Sequence, residues 1–266
     1  MATVVAVALM LACASLLVAC GGSPGSSGGS GIPGGSGDPN NGESTTSGPA
    51  YSVPGSVALV AFNEGAAQTG NECAIDTSQL AQGVVGASAR SDARLKFQVV
   101  KGEMSYNYDL PGDGTPIIVP INMGDGPYTF RVMQNTSGNN YVELFSVIEN
   151  VNLSSETAPF LVPNMFVNYN ESSAVVAKAR ELAQGAANQG DVVRNIYQWV
   201  VDNITYDHDK AAQLASATGY VPDPDATLAS GTGICFDYAS LGAAMLRSLG
   251  IPCQVITGYV SPDDVY

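Results

Sequence analysis

Cys235 has the setting in this 266-residue chain that most suggests chemistry. It follows Gly231-Thr232-Gly233-Ile234 and opens a run of small apolar residues that reads as a helix to about Leu249, with Ala239, Ala243, Leu246 and Leu249 facing inward. Gly250 and Pro252 end it. A helix N-terminus favours a thiolate through its unpaired N–H groups and its macrodipole. Those N–H groups also help bind the oxyanion formed when a thiolate attacks an amide carbonyl. Glycines ahead of the cysteine let the backbone turn sharply and leave room for a substrate. A cysteine nucleophile also needs a general base, and the sequence holds one histidine, His208, upstream of Cys235. Within Tyr206-Asp207-His208-Asp209 it reads as a surface or capping residue at a solvated helix exit. A single histidine excludes sites that need two, including most zinc hydrolase centres. Asp237 is read as ordering the first turn of the cysteine helix.

The elements that must position Cys235 follow from periodicity. Ser172-Ser173 offers an N-cap to a helix carrying Val175, Val176, Ala179, Leu182 and Ala183. Asp191 is expected to cap a second helix, with Val193, Ile196, Tyr197, Val200, Val201 and Ile204 along one face and Trp199 packing beside it. After the cysteine helix, residues 253–259 read as a buried strand. Further upstream, strands are expected over 57–62, 95–100, 104–108, 117–121, 128–133 and 141–148. The breaks between them are Pro111-Gly112-Asp113-Gly114, Gly124-Asp125-Gly126-Pro127 and Ser137-Gly138-Asn139-Asn140. Such spacing suggests an antiparallel sandwich. Tyr106, Tyr108, Tyr128 and Tyr141 are expected at core or edge positions. Asp109, Asp113 and Asp125 fit turns, and their spacing matches no calcium loop.

Ten Lys and Arg against 24 Asp and Glu give a net charge of −14. That balance argues against nucleic acid and against electrostatic docking to anionic lipid. Residues 4–18 form an apolar run about 15 residues long, short for a membrane span and suited to a signal peptide. The run ends in Leu17-Val18-Ala19-Cys20-Gly21, which looks like a bacterial lipoprotein lipobox, although Met1-Ala2-Thr3 carries no positive charge. That likeness implies cleavage before Cys20, a lipid on its thiol, and an extracytoplasmic protein held at the bacterial cell membrane by the lipid alone. Residues 21–50, rich in Gly, Ser and Pro, read as a disordered tether. Cys73, Cys235 and Cys253 then remain, and an odd number implies at least one free thiol. The resulting division is a signal peptide over 1–20, the tether over 21–50, a β-sandwich domain over 51–152, a connector over 153–171 and a second folded region over 172–266. The fold class is α+β.

The run from Leu228 to Tyr259 resembles the transglutaminase-like superfamily, whose papain-like core holds its nucleophile in a Gly-x-Gly-x-Cys-x-Asp-Tyr-Ala-x-Leu pattern. Gly231, Gly233, Cys235, Asp237, Tyr238, Ala239 and Leu241 match it, as do Leu246-Arg247-Ser248-Leu249-Gly250-Ile251-Pro252 and Gly258-Tyr259. Upstream, Ile196-Tyr197-Gln198-Trp199-Val200 and Asn203-Ile204-Thr205-Tyr206-Asp207 resemble the preceding helix and its exit. The resemblance covers about residues 190–266. It implies a Cys-His-Asp triad with Cys235 as nucleophile, attack on a carboxamide of a protein or peptide substrate, a thioester, and resolution by water or an amine. No metal and no cofactor are implied. The histidine and aspartate are expected beyond Tyr266, so the chain is expected to be an inactive fragment holding the N-terminal half of that core. The alternative is a noncatalytic extracellular binding or scaffold lipoprotein with a degenerate papain-like domain.

Overall fold

The computed structural model describes residues 46–258. Cys20, the apolar run before it, most of the tether and residues 259–266 lie outside the described residues.

Residues 68–151 form eight strands: β1 (Gln68–Gly70), β2 (Cys73–Asp76), β3 (Val84–Ala89), β4 (Leu95–Lys101), β5 (Met104–Leu110), β6 (Ile117–Pro120), β7 (Gly126–Ser137) and β8 (Asn140–Val151). They make two four-stranded antiparallel sheets, ordered β1-β2-β3-β6 and β5-β4-β7-β8. Alternation along β4 sends Leu95, Phe97 and Val99 inward, and the register places Phe97 opposite Val132 and Tyr108. Ile75, Val85, Ala87 and Val119 from the first sheet join Phe97, Phe130 and Val132 from the second in one buried cluster. Tyr108 and Tyr128 are buried there, whereas Tyr106 is exposed and Tyr141 half-buried. Asp113 and Asp125 lie in turns, whereas Asp109 lies within β5, and all three carboxylates have protein partners. Asp109 pairs with Lys96 at 2.7 Å, Asp113 accepts the Thr115 N–H, and Asp125 accepts the Leu153 N–H. Among the described residues no cluster of His, Cys, Asp or Glu could hold a metal ion.

Two expected strands do not form. Residues 57–62 have an extended course but no sheet partner, because Val57 is buried in the helical cluster and its N–H goes to the Glu171 carboxylate at 2.7 Å. Residues 253–258 likewise form no strand. Cys253 donates its N–H to Phe160 O, at the end of a 3-10 turn, and its carbonyl accepts from Arg247 Nε, so its hydrogen bonds go to a turn and a side chain instead of a ladder.

The second region is helical: α1 (Ala174–Leu182), α2 (Gln189–Asn203), the short strand β9 (Thr205–Tyr206), α3 (His208–Leu214), α4 (Pro224–Ser230), the short strand β10 (Thr232–Gly233) and α5 (Cys235–Ser248). Helix α5 is the centre, touched by α1, α2 and α4, with Ala239 through Leu249 all buried. Small side chains permit that close approach on every side.

Capping differs from the expectation at two helices. Ser173 occupies the N-cap position of α1, but its side chain makes no cap bond; Asp225 of α4 accepts the Val175 N–H at 2.8 Å instead. At α2 the cap is Asn188, not Asp191. Asn188 accepts the Asp191 N–H at 3.0 Å, while Asp191, one turn in, accepts the Ala187 N–H at 3.1 Å. The two side chains are also joined directly, Asn188 Nδ2 donating to Asp191 Oδ2 at 3.1 Å.

The segment around residues 46–57 packs on the helices. Ala50 bridges to Asn188, Tyr51 gives its hydroxyl to Leu249 O, and Thr46 reaches Asp191. The connector joins both regions: Met165 N–H bonds to Ile118 O on β6, and Ser240 of α5 donates to Phe166 O. Among the described residues no helix is long and apolar enough to cross a membrane.

Candidate active site

Cys235 is placed by the elements on either side of it. Asp223 caps α4 by accepting the Ala226 N–H, and Gly231 ends the helix at φ +66°, a conformation that strains side-chain-bearing residues. The chain then pairs in parallel with the exit of α2. Thr205 N–H bonds to Gly231 O at 2.8 Å and Asp207 N–H to Gly233 O at 2.9 Å. This short ladder fixes Gly233 two residues before the thiol and sets Tyr206 beside it. Gly233 has no room for a side chain: a Cβ there would lie 2.6 Å from Asp237 Cβ.

Cys235 is the first residue of α5 and is half-buried. The N-cap residue, Ile234, has no side-chain acceptor of its own, and the first turn of the helix is ordered from within by Asp237. Asp237, fully buried in that turn, accepts three hydrogen bonds. Its Oδ2 takes the Ile234 N–H at 2.8 Å and Lys210 Nζ at 2.7 Å, and its Oδ1 takes the Tyr220 hydroxyl. Asp237 therefore orders the first turn, as expected, and also ties α3 and the loop after it to the cysteine helix. The ammonium of Lys210 lies 4.8 Å from the centre of the Tyr220 ring. Burial pulls the Lys210 ammonium down, but its bonds to Asp237 and Tyr220 outweigh that and hold it above the usual lysine range. The Tyr220 phenol is raised too, first by burial and then by its bond to Asp237.

Facing the thiol is an apolar cavity of about 270 Å³ lined by Val193, Tyr197, Val201, Tyr206, Tyr238 and Leu246. Ile196, Val200 and Ile204 of the expected α2 stripe enter the core, whereas Tyr197 and Val201 stay exposed on this cavity. Burial, with the nearby Cys235 second, raises the Tyr206 phenol. Tyr238 donates its hydroxyl to Ile204 O. Trp199 packs against the helical cluster, with the Lys178 ammonium 5.6 Å from its ring centre.

His208 is exposed and opens α3; it does not sit at a helix exit. Asp207 caps that helix by accepting the Lys210 N–H at 2.8 Å, and the His208 ring packs on Tyr206 with centroids 5.0 Å apart. The structure thus brings Cys235, Asp237 and Tyr238 together as the motif suggests. Lys210 and Tyr220 carry no sequence signal of their own, although a buried Asp237 requires donors from somewhere. Of the other thiols, Cys73 is buried between the sheets, donates to Asn71 O at 3.2 Å and is raised by burial, and Cys253 is buried and lines the same cavity as Cys235.

Residues 176–265 match the family model described as the transglutaminase-like superfamily, so the segment that presents Cys235 is transglutaminase-like. The chain is also similar to the UPF0252 protein MJ1282 of Methanocaldococcus jannaschii, 26% identical over 158 residues, which is 57% of this chain and 42% of that protein. The chain thus spans less than half the length of the curated relative it matches. No solved structure matches it significantly.

Proposed function

We propose that Cys235 is the nucleophile of a cysteine amide hydrolase or acyl transferase acting on peptide or glutamine carboxamides. The observation that carries this reading is a half-buried thiol on the first turn of α5, with that turn held by the buried Asp237. The attacking sulfur would form a thioester and release ammonia or an amine, while the N–H groups at the helix start receive the oxyanion. Water or an amine would then free the acyl group. Both half-reactions need a group that moves protons. No histidine follows Cys235 in these 266 residues, and His208 packs on Tyr206 at the surface. The chain by itself is therefore proposed to be inactive. The two antiparallel sheets would form a sandwich carried ahead of the catalytic segment, with the whole protein held outside the cytoplasm by a lipid on Cys20. Protein or peptide substrates fit this placement.

The test joins to this chain a downstream segment that supplies a histidine. Release of ammonia from glutamine peptides that disappears on Cys235→Ala supports the reading. Turnover that survives Cys235→Ala defeats it.

A further inference from the structure

Arg247 lies near the C-terminal end of α5 and is only 3% exposed. Its Nε donates to Cys253 O at 2.9 Å and its Nη1 to Val162 O at 2.8 Å. Among the described residues no carboxylate comes within ion-pairing distance, even though the chain carries 24 acidic residues. A buried cation without a counter-charge is costly, and two carbonyl dipoles offset that cost incompletely. Burial pushes the guanidinium down to about 10. A guanidinium has five N–H donors in a planar fork, so two accepting carbonyls leave donor capacity unused.

Arg247 borders a cavity of about 100 Å³ between the strands and the helices. Asn122 and Gln254 line the same space, with Tyr108, Phe166 and Phe236 as its apolar walls. The Oδ1 of Asn122, a residue that also lines a neighbouring cavity, is buried and has no hydrogen-bond partner among the described residues. A buried acceptor with nothing donating to it is unusual in a folded protein, as is a buried guanidinium with no carboxylate beside it among the described residues. Both residues line this one cavity.

We propose that this cavity is a binding site for a small carboxylate, held by the free donors of Arg247 and by the amide of Asn122. The amide nitrogen and oxygen of an asparagine exchange places by a rotation about χ2, so Asn122 is able to donate to an anion. A guanidinium fork matches a carboxylate in shape and charge. The cavity volume restricts the ligand to a few heavy atoms, or to the carboxyl end of something longer. Phe236 belongs to both this wall and the turn that presents Cys235, so occupancy would bear directly on the residue next to the thiol. The carboxylate has two sources: a free small molecule, or Asp263 and Asp264 of this chain.

The experiment follows thermal unfolding of the full chain while sodium acetate replaces sodium chloride at constant ionic strength. A ligand that binds the folded state raises Tm in a saturable way. If the ligand is external, acetate raises Tm of the wild-type chain by a few degrees and saturates. If the chain's own carboxylates fill the site, the saturable rise appears only after the double change Asp263→Asn and Asp264→Asn. In either case Asn122→Asp abolishes the response, because a fixed negative charge in so small a cavity repels a second one. Acetate and chloride behaving alike in both the wild-type chain and the double variant would overturn the proposal. So would an acetate response undiminished in Asn122→Asp.

Discussion

Lys210 Nζ lies 2.7 Å from Asp237 Oδ2, and that contact joins the helix opened by His208 to the helix opened by Cys235. Asp237 is fully buried and its lysine partner partly exposed. Removing the carboxylate leaves the Ile234 N–H without its partner, as well as the Lys210 and Tyr220 donors. Asp237→Ala is expected to cost about 3 kcal/mol, as breaking a buried charge pair does. Lys210→Met should cost less, and the double variant less than the sum, with a coupling of about 1 kcal/mol or more. Urea unfolding of the four proteins in the cycle checks this, and additive costs would show that the contact carries no energy.

Alkaline pH should unfold the chain for a definable reason. Burial, opposed by a hydrogen bond from its backbone surroundings and reinforced by Asp125, pushes the Tyr128 phenol up to about 12, and Tyr108 and Tyr169 are raised further by burial. Lys210 and Tyr220 also hold their protons more firmly in the folded state. Groups raised on folding contribute stability that is complete below their unfolded values, near pH 10, and is lost as pH rises through the folded ones. Unfolding free energy should therefore stay level from about pH 7 to 9 with respect to these groups and fall steeply above about pH 10. Tyr128→Phe should flatten that fall, read by circular dichroism at fixed ionic strength.

Two glycines near the thiol are predicted to respond differently. Gly233→Ala forces a Cβ against Asp237, and overpacking of this kind costs about 1–3 kcal/mol. Gly231→Ala meets only Asn203 O at 3.3 Å but must hold φ +66°, which costs about 1–2 kcal/mol. Since Gly233 touches the side chain that orders the first turn of α5, Gly233→Ala should also change the alkylation rate of Cys235. Gly231→Ala should leave that rate within about twofold, measured under conditions where both variants are folded.

The parts of the fold that were legible in the sequence are those with one strong local pattern. Leu95, Phe97 and Val99 alternate cleanly, and β4 forms where expected. The Gly-Thr-Gly-Ile-Cys run and the Gly250-Ile251-Pro252 stop bracket α5 correctly. Strands β2 and β3 carry no clear sequence signal because Cys73–Asp76 is short and Val84–Ala89 is small and buried on nearly every residue, so neither alternates. Residues 57–62 and 253–258 have strand composition, but their backbone groups are taken by Glu171, Phe160 and Arg247. Tertiary partners overrode local preference there. Helix α3 was hidden because His208–Leu214 is short and buries nothing fully. At the site, Cys235 and Asp237 stood out by motif, whereas Lys210 and Tyr220 reach Asp237 from 27 and 17 residues away, a distance no local pattern spans.

The most direct measurement of the account is the alkylation rate of each thiol in the folded chain by chloroacetamide at neutral pH, resolved by peptide mass spectrometry. Cys235 should react at least about tenfold faster than the buried Cys73 and Cys253, the thiol being half-exposed at a helix start. Glutamine peptides added to the same chain should not be turned over. Cys235 reacting no faster than Cys73, or amide turnover by this chain that Cys235→Ala abolishes, would contradict the account.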